Sequence, residues 1–70
     1  MAMNIEIQIN GALREVPESL TVSELLILLE LAHKRLAVEI NRDIVPRSRH
    51  AEHRLQPGDQ VELIQAMGGG

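Results

Sequence analysis

Seventy residues with no cysteine and no aromatic side chain, and with ten acids against seven bases for a net charge of −3, leave room for one small aliphatic core. Without cysteine there is no disulfide, no thiolate zinc site and no cysteine nucleophile, so any sulfur this protein handles has to be brought to it. Without aromatics there is no stacking platform for bases, and the acidic balance opposes a phosphate backbone, so nucleic acid is not an expected partner.

Met3, Ile5, Ile7 and Ile9 alternate with Asn4, Glu6, Gln8 and Asn10, the period of a strand with one buried face. Asn10-Gly11 suits a type I′ hairpin, whose two central positions both need positive φ, and Ala12 to Val16 reads as the returning strand, closed by Pro17. Thr21-Val22-Ser23-Glu24 has the spacing of a capping box and starts a helix near Val22. Val22, Leu25, Leu26, Leu28, Leu29 and Ala32 give that helix a wide apolar face, with Glu24, Glu30 and His33 or Lys34 on its polar side. Ile27 and Leu31 widen the apolar face further, as expected of a helix embraced by a sheet.

Leu36, Val38 and Ile40 then alternate with Ala37, Glu39 and Asn41, and Ile44-Val45 follows a turn at Asn41-Arg42-Asp43, which reads as a second hairpin. Arginine where glycine would suit a tight turn implies either a longer loop or backbone strain of about 1 kcal/mol. Pro46 ends the strand, and Arg47 to Arg54 is polar and irregular, with room for a helical turn. In Pro57-Gly58-Asp59 proline fixes φ and glycine permits the left-handed bend of a turn. The last strand, Gln60 to Ala66, leads into Met67-Gly68-Gly69-Gly70.

This order predicts an α+β domain over residues 1–66, a β-grasp in which one main helix packs on one face of a mixed sheet of four to five strands, followed by a glycine tail over residues 67–70. If Val38, Ile40, Val61 and Leu63 face the helix, alternation sends Ala37, Glu39, Glu62 and Ile64 to the opposite face. Ile64 and Met67 then form an exposed apolar anchor for partners, with Glu39 and Glu62 as its polar rim. In the tail, Gly68 and Gly69 have no Cβ and can thread a channel too narrow for other residues, reaching roughly 10 Å with Gly70, whose carboxylate is the expected reactive group.

Other candidates are weaker. His50 and His53 stand three apart and would share one face of a helical turn, but a solvated surface turn is the simpler reading, and no metal site is expected. His33 reads as a favourable charge at the helix C-terminus. Ser19, Thr21, Ser23 and Ser48 have no base at a recognisable spacing. Arg47, Arg49 and Arg54 form a basic cluster that reads as a solvated loop. No apolar run approaches the ~18 residues of a membrane span, and no signal-peptide pattern opens the chain, so a cytoplasmic location without membrane association is expected.

Four features together resemble the ThiS family of sulfur carriers: Ala37-Val38-Glu39-Ile40-Asn41, Ile44-Val45-Pro46-Arg47-Ser48, Leu55-x-x-Gly58-Asp59-x-Val61-Glu62, and the glycine terminus. The resemblance runs from Ile5 to Gly70, with Arg42 where that hairpin commonly has glycine and His50 where an aromatic residue is often found. It implies a ubiquitin-like β-grasp protein that is no enzyme but a co-substrate. A ThiF-like, E1-type adenylyltransferase would use ATP and magnesium to adenylate Gly70, a persulfide donor would convert it to a thiocarboxylate, and a ThiG-like thiazole synthase would take the sulfur. The carrier itself would bind no cofactor. MoaD-like carriers, tRNA-thiolation carriers and ubiquitin-like modifiers use the same terminal glycine, but Lys34 is the only lysine, which speaks against a chain-forming modifier.

Overall fold

In the computed structural model, which describes residues 3–65, the elements run β1 (Asn4–Ile9), β2 (Ala12–Pro17), α1 (Val22–Leu28), β3 (Leu36–Ile40), β4 (Asp43–Val45) and β5 (Gln60–Gln65), with a 3-10 turn at Arg47–Arg49. Ala66, expected to end the last strand, and the tail at 67–70 lie outside the described residues. The sheet order is β2-β1-β5-β3-β4, with β5 parallel to β1 and antiparallel to β3, which is the expected β-grasp arrangement.

Both hairpins close with two-residue turns. Ile9 pairs with Ala12 across Asn10 (φ 49°) and Gly11 (φ 86°), as the type I′ reading requires. The second is as tight: Ile40 pairs with Asp43, leaving only Asn41 (φ 54°) and Arg42 (φ 73°) in the turn. Of the two alternatives open for Arg42, strain rather than a longer loop is therefore the outcome, and Asp43 belongs to the strand.

The helix begins as its sequence predicts. The Thr21 hydroxyl accepts from the Glu24 amide at 3.1 Å, and the Glu24 carboxylate accepts from the Thr21 amide at 2.9 Å, a reciprocal capping box. The Thr21 amide, joined by the Thr21 hydroxyl donating to the same carboxylate oxygen at 3.1 Å, is the main reason the Glu24 carboxyl titrates below its ordinary range. The next free donors, the amides of Val22 and Ser23, are taken by the carbonyls of His53 and His50 at 2.9 and 3.0 Å. The loop after β4 thus serves as a second cap.

The helix ends sooner than the apolar pattern predicts, at Leu28. Glu30 takes the left-handed conformation (φ 61°), its amide donates to Ile27 O at 3.0 Å, and the Leu31 amide donates to Leu26 O at 2.7 Å. This is a Schellman motif, sealed by contact of Leu26 and Leu31 with the core, and it is built without the glycine that ordinarily announces it. His33 therefore lies beyond the helix and is no cap of its C-terminus. Nor is the helix embraced on all sides, since Ile27 is 64% exposed and Leu28 46%.

Ile7 and Val16 from β1 and β2, Val38, Ile40 and Val45 from β3 and β4, and Val61 from β5 pack against Val22, Leu25 and Leu26 of the helix, with Leu55 closing the end. At ~1.5–3 kcal/mol for each fully buried aliphatic side chain, this cluster is the main source of stability. No helix among the described residues is long and apolar enough to cross a membrane.

The central strand, β5, is held beyond its regular pairing by two asparagine side chains. Asn10, where β1 turns away, accepts from the Leu63 amide at 2.9 Å and donates to Leu63 O at 3.5 Å, continuing the β1–β5 ladder with a side-chain amide. Asn41, at the second turn, accepts from the Gln60 amide and donates to the buried Asp59 carboxylate, both at 3.0 Å. Asp59 in turn accepts from the Gln56 amide at 2.8 Å, tightening the turn through Gly58 (φ 83°).

Four of the five left-handed non-glycine positions divide into two kinds by substitution. Glu30→Gly and Arg42→Gly relieve a strained side chain and are expected to raise unfolding free energy by about 0.5–1 kcal/mol each in urea titrations. Asn10→Gly and Asn41→Gly keep the turn but delete the amide, and are expected to cost about 1 and 2 kcal/mol, the latter more because Asp59 is left buried without that partner.

Candidate functional site

The helix and the loop after β4 cover one face of the sheet and leave the other to solvent. Alternation places Ala37, Glu39, Glu62 and Ile64 on the uncovered face, as expected, while Val38, Ile40 and Val61 are buried beneath the helix and Leu63 packs against the core. Ala37 lies directly opposite Ile64 and Glu39 directly opposite Glu62. Ile64 is 48% exposed at the end of β5.

β3 accompanies β5 as far as Gln65, which pairs with Leu36, whereas the β1 ladder ends at Ile9 opposite Val61 and is continued only by the Asn10 amide. The last residues of β5 are thus held from the β3 side. Met67, Gly68, Gly69 and Gly70 lie outside the described residues.

Two features of this face were missed by reading the sequence. Ile44 of β4 lies opposite Glu39 on the far side of β3 and is 69% exposed, so a row Ile44, Glu39, Glu62 crosses three strands. The signal was available: Val45 faces inward, so its neighbour must face outward. The carboxylates consequently stand between Ile44 and Ile64 on this face, while Met67, the other half of the expected anchor, lies outside the described residues. The face also carries Glu6 opposite Glu15 on β1 and β2, and no lysine or arginine of any strand alternates onto it.

On the covered side, the residues singled out for other chemistry have structural work. His50 is buried, contrary to the reading of a solvated turn: its Nε2 donates to Val45 O at 3.1 Å and its carbonyl caps the helix. An imidazole here fills the space beneath the loop and satisfies a carbonyl at the end of β4. His50 and His53 do not converge on an ion, and among the described residues no three His, Cys, Asp or Glu side chains form a metal-binding group. Thr21 is engaged in the cap, and Arg54 donates to Ser19 O at 3.0 Å across the loop. Arg49 meets Glu52 at 3.8 Å with both side chains exposed, a contact of little energetic weight. Nothing among the described residues assembles a nucleophile with a base.

Comparison with known proteins shows the family and the fold. The family model described as the ThiS family matches residues 7–70. The sulfur carrier protein ThiS of Escherichia coli is 38% identical over 66 residues, covering 94% of this chain and 100% of that one. The crystal structure of thiamine biosynthesis protein ThiS from Geobacter metallireducens superposes with a TM-score of 0.83 at 35% identity, over 94% of this chain and 100% of the other. A thiazole synthase of Paramagnetospirillum magneticum also contains a similar region, 38% identical over 66 residues, and this chain spans only 20% of that longer protein. With residues 7–70 matched by the family model and a carrier of similar length matched from end to end, the chain belongs to the ThiS family.

Proposed function

We propose that this protein is a sulfur carrier for formation of the thiamin thiazole, and that the Gly70 carboxylate is the group that carries sulfur. The observation that carries this reading is the end-to-end likeness to a ThiS sulfur carrier, combined with a central strand that ends at Gln65 and is followed in sequence by Gly68, Gly69 and Gly70. A terminal carboxylate is ionised at neutral pH and is a poor electrophile, so it needs activation. An E1-type adenylyltransferase of the ThiF kind, using magnesium and ATP, supplies it: the carboxylate oxygen attacks the α-phosphate, pyrophosphate leaves, and an acyl adenylate remains. The terminal sulfur of a persulfide displaces AMP, and thiolysis of the acyl disulfide leaves the thiocarboxylate.

A thiocarboxylate is anionic and nucleophilic, so it can pass sulfur to a carbonyl-derived intermediate. The acceptor is a thiazole synthase of the ThiG kind acting on a deoxyxylulose phosphate adduct, and the carrier-like region inside a thiazole synthase chain supports that pairing. Catalysis belongs to these partners. This protein contributes a rigid docking body and a thin stem, with Ile64, Met67 and Ala37 as apolar contacts and Glu39 and Glu62 as charged ones. The presence of one lysine, Lys34, favours a carrier over a modifier that builds chains on itself.

Incubation with ATP, the adenylyltransferase and a persulfide donor is expected to add the mass of one oxygen exchanged for sulfur, and a chain lacking Gly70 should show no gain. A conjugate to another protein instead would identify a modifier, and no change at all would remove the carrier reading. Ile64→Asp, at an exposed position that the core does not need, is expected to raise the KM for carrier in adenylation by about tenfold with its thermal unfolding unchanged. An unaltered KM would remove Ile64 from the docking face.

A further inference from the structure

We infer that the opposed pair Glu39 and Glu62 is the recognition centre of the docking face, and that the adenylating partner closes over it with a guanidinium that both carboxylates share. The inference rests on the carrier reading above and names the chemistry of the surface that reads this site.

Residues directly opposite on antiparallel strands hold their Cβ atoms about 4.5–5.5 Å apart, and like charges so placed oppose folding. The sheet keeps this pair in its interior, on β3 and β5, where neither side chain is at an edge that could splay away. Among the described residues neither carboxylate takes part in an ion pair and no base of the strands shares their face; Arg42, in the turn after β3, lines a groove with Glu62 but makes no salt bridge to it. The repulsion is therefore at most partly offset in the isolated carrier. On either side stand Ile44 and Ile64, exposed apolar groups that a partner would cover, removing water from around the carboxylates and strengthening any charge brought to them. An arginine fits this vacancy in charge: its planar fork of donors can serve two carboxylates at once, and it stacks against apolar neighbours at lower desolvation cost than an ammonium.

Of the two enzymes that handle the tail, the adenylating one has the stronger reason to be cationic here. It must bring an anionic chain terminus to the phosphates of ATP, and its electropositive site lies within roughly 20 Å of Ile64 along an extended stem. The carboxylate pair then adds to the attraction that orients the approach. Glu6 and Glu15 provide an internal comparison. They are an equally opposed pair on the same face, but Glu6 is level with Gly58, before β5 begins, and lies far from the strand end.

The test uses the full chain as E39Q/E62Q and as E6Q/E15Q, with the purified adenylyltransferase, MgATP and a salt series. Both double variants are expected to melt a few degrees above the unaltered chain, since each loses a repulsion. Only E39Q/E62Q is expected to raise the KM for carrier, by about tenfold at low salt, with kcat retained and with most of the salt dependence of KM lost. A KM within twofold of the unaltered chain would overturn the inference, as would an equal rise in E6Q/E15Q. Normal adenylation of E39Q/E62Q with lost binding to the thiazole synthase would assign the face to that enzyme instead, and also overturn it. Failure of the unaltered chain to be adenylated at all would refute the carrier reading; direct titration of both chains against the adenylyltransferase still reads the charge of the face.

Discussion

Everything in this protein depends on one strand being laid between two others. β5 is last in sequence and central in space, parallel to β1 on one side and antiparallel to β3 on the other. A strand in that position closes the core and, because it is last, also carries the chain outward. Its neighbours both turn away level with Val61, β1 after Ile9 and β3, running the opposite way, after Ile40, and at each departure an asparagine in left-handed conformation extends its side-chain amide back to β5. Asparagine suits both demands at these positions, since it tolerates positive φ and its amide imitates the peptide group that the missing strand would have supplied. The last strand is thus fastened to both neighbouring turns, at Gln60 and at Leu63.

That double role explains which parts of the fold were legible from sequence. Elements whose chemistry is local were plain: the period-two pattern of β1, the Asn10-Gly11 turn, the Thr21 to Glu24 capping box and the turn at Gly58. The boundaries that escaped were those set by tertiary packing. The apolar run through Leu29, Leu31 and Ala32 reads as continuing helix, but Leu31 is drawn into the core by a Schellman turn that forces Glu30 to positive φ, and no glycine marks the place. The second turn likewise closes in two residues over Arg42 because Ile40 and Val45 both have to be buried, and this burial outweighs about 1 kcal/mol of backbone strain. His50 escaped for a related reason: its burial follows from the loop folding back to cap the helix, which no local spacing encodes.

The site was partly legible by the same logic. Alternation alone sent Ala37, Glu39, Glu62 and Ile64 to the open face, because a single buried face with period two leaves no other choice. Register across strands is a different kind of information. That Glu39 meets Glu62, and that Ile44 stands on its other side, depends on how three strands align, and the alignment is set by turn length and by the core beneath. The hydrophobic pattern therefore predicted most of the membership of the face but not its arrangement, which sets the two carboxylates between Ile44 and Ile64.

Under the proposed reading, in which the reactive group is a chain terminus that partners must reach, recognition falls to a surface of the folded body. The uncovered sheet face satisfies this, since backbone ladders hold its side chains in register and the helix beneath keeps the sheet from folding back on itself. Such a face is also a hazard: an exposed sheet surface bearing Leu13, Ile44 and Ile64 invites copies of the chain to stack on one another. Opposed carboxylates answer that hazard, because two such faces repel, whereas a cationic partner is attracted. The same charges that cost the isolated carrier some stability thus discriminate between a second copy of itself and the enzyme it has to meet, and specificity here comes as much from what the face refuses as from what it binds.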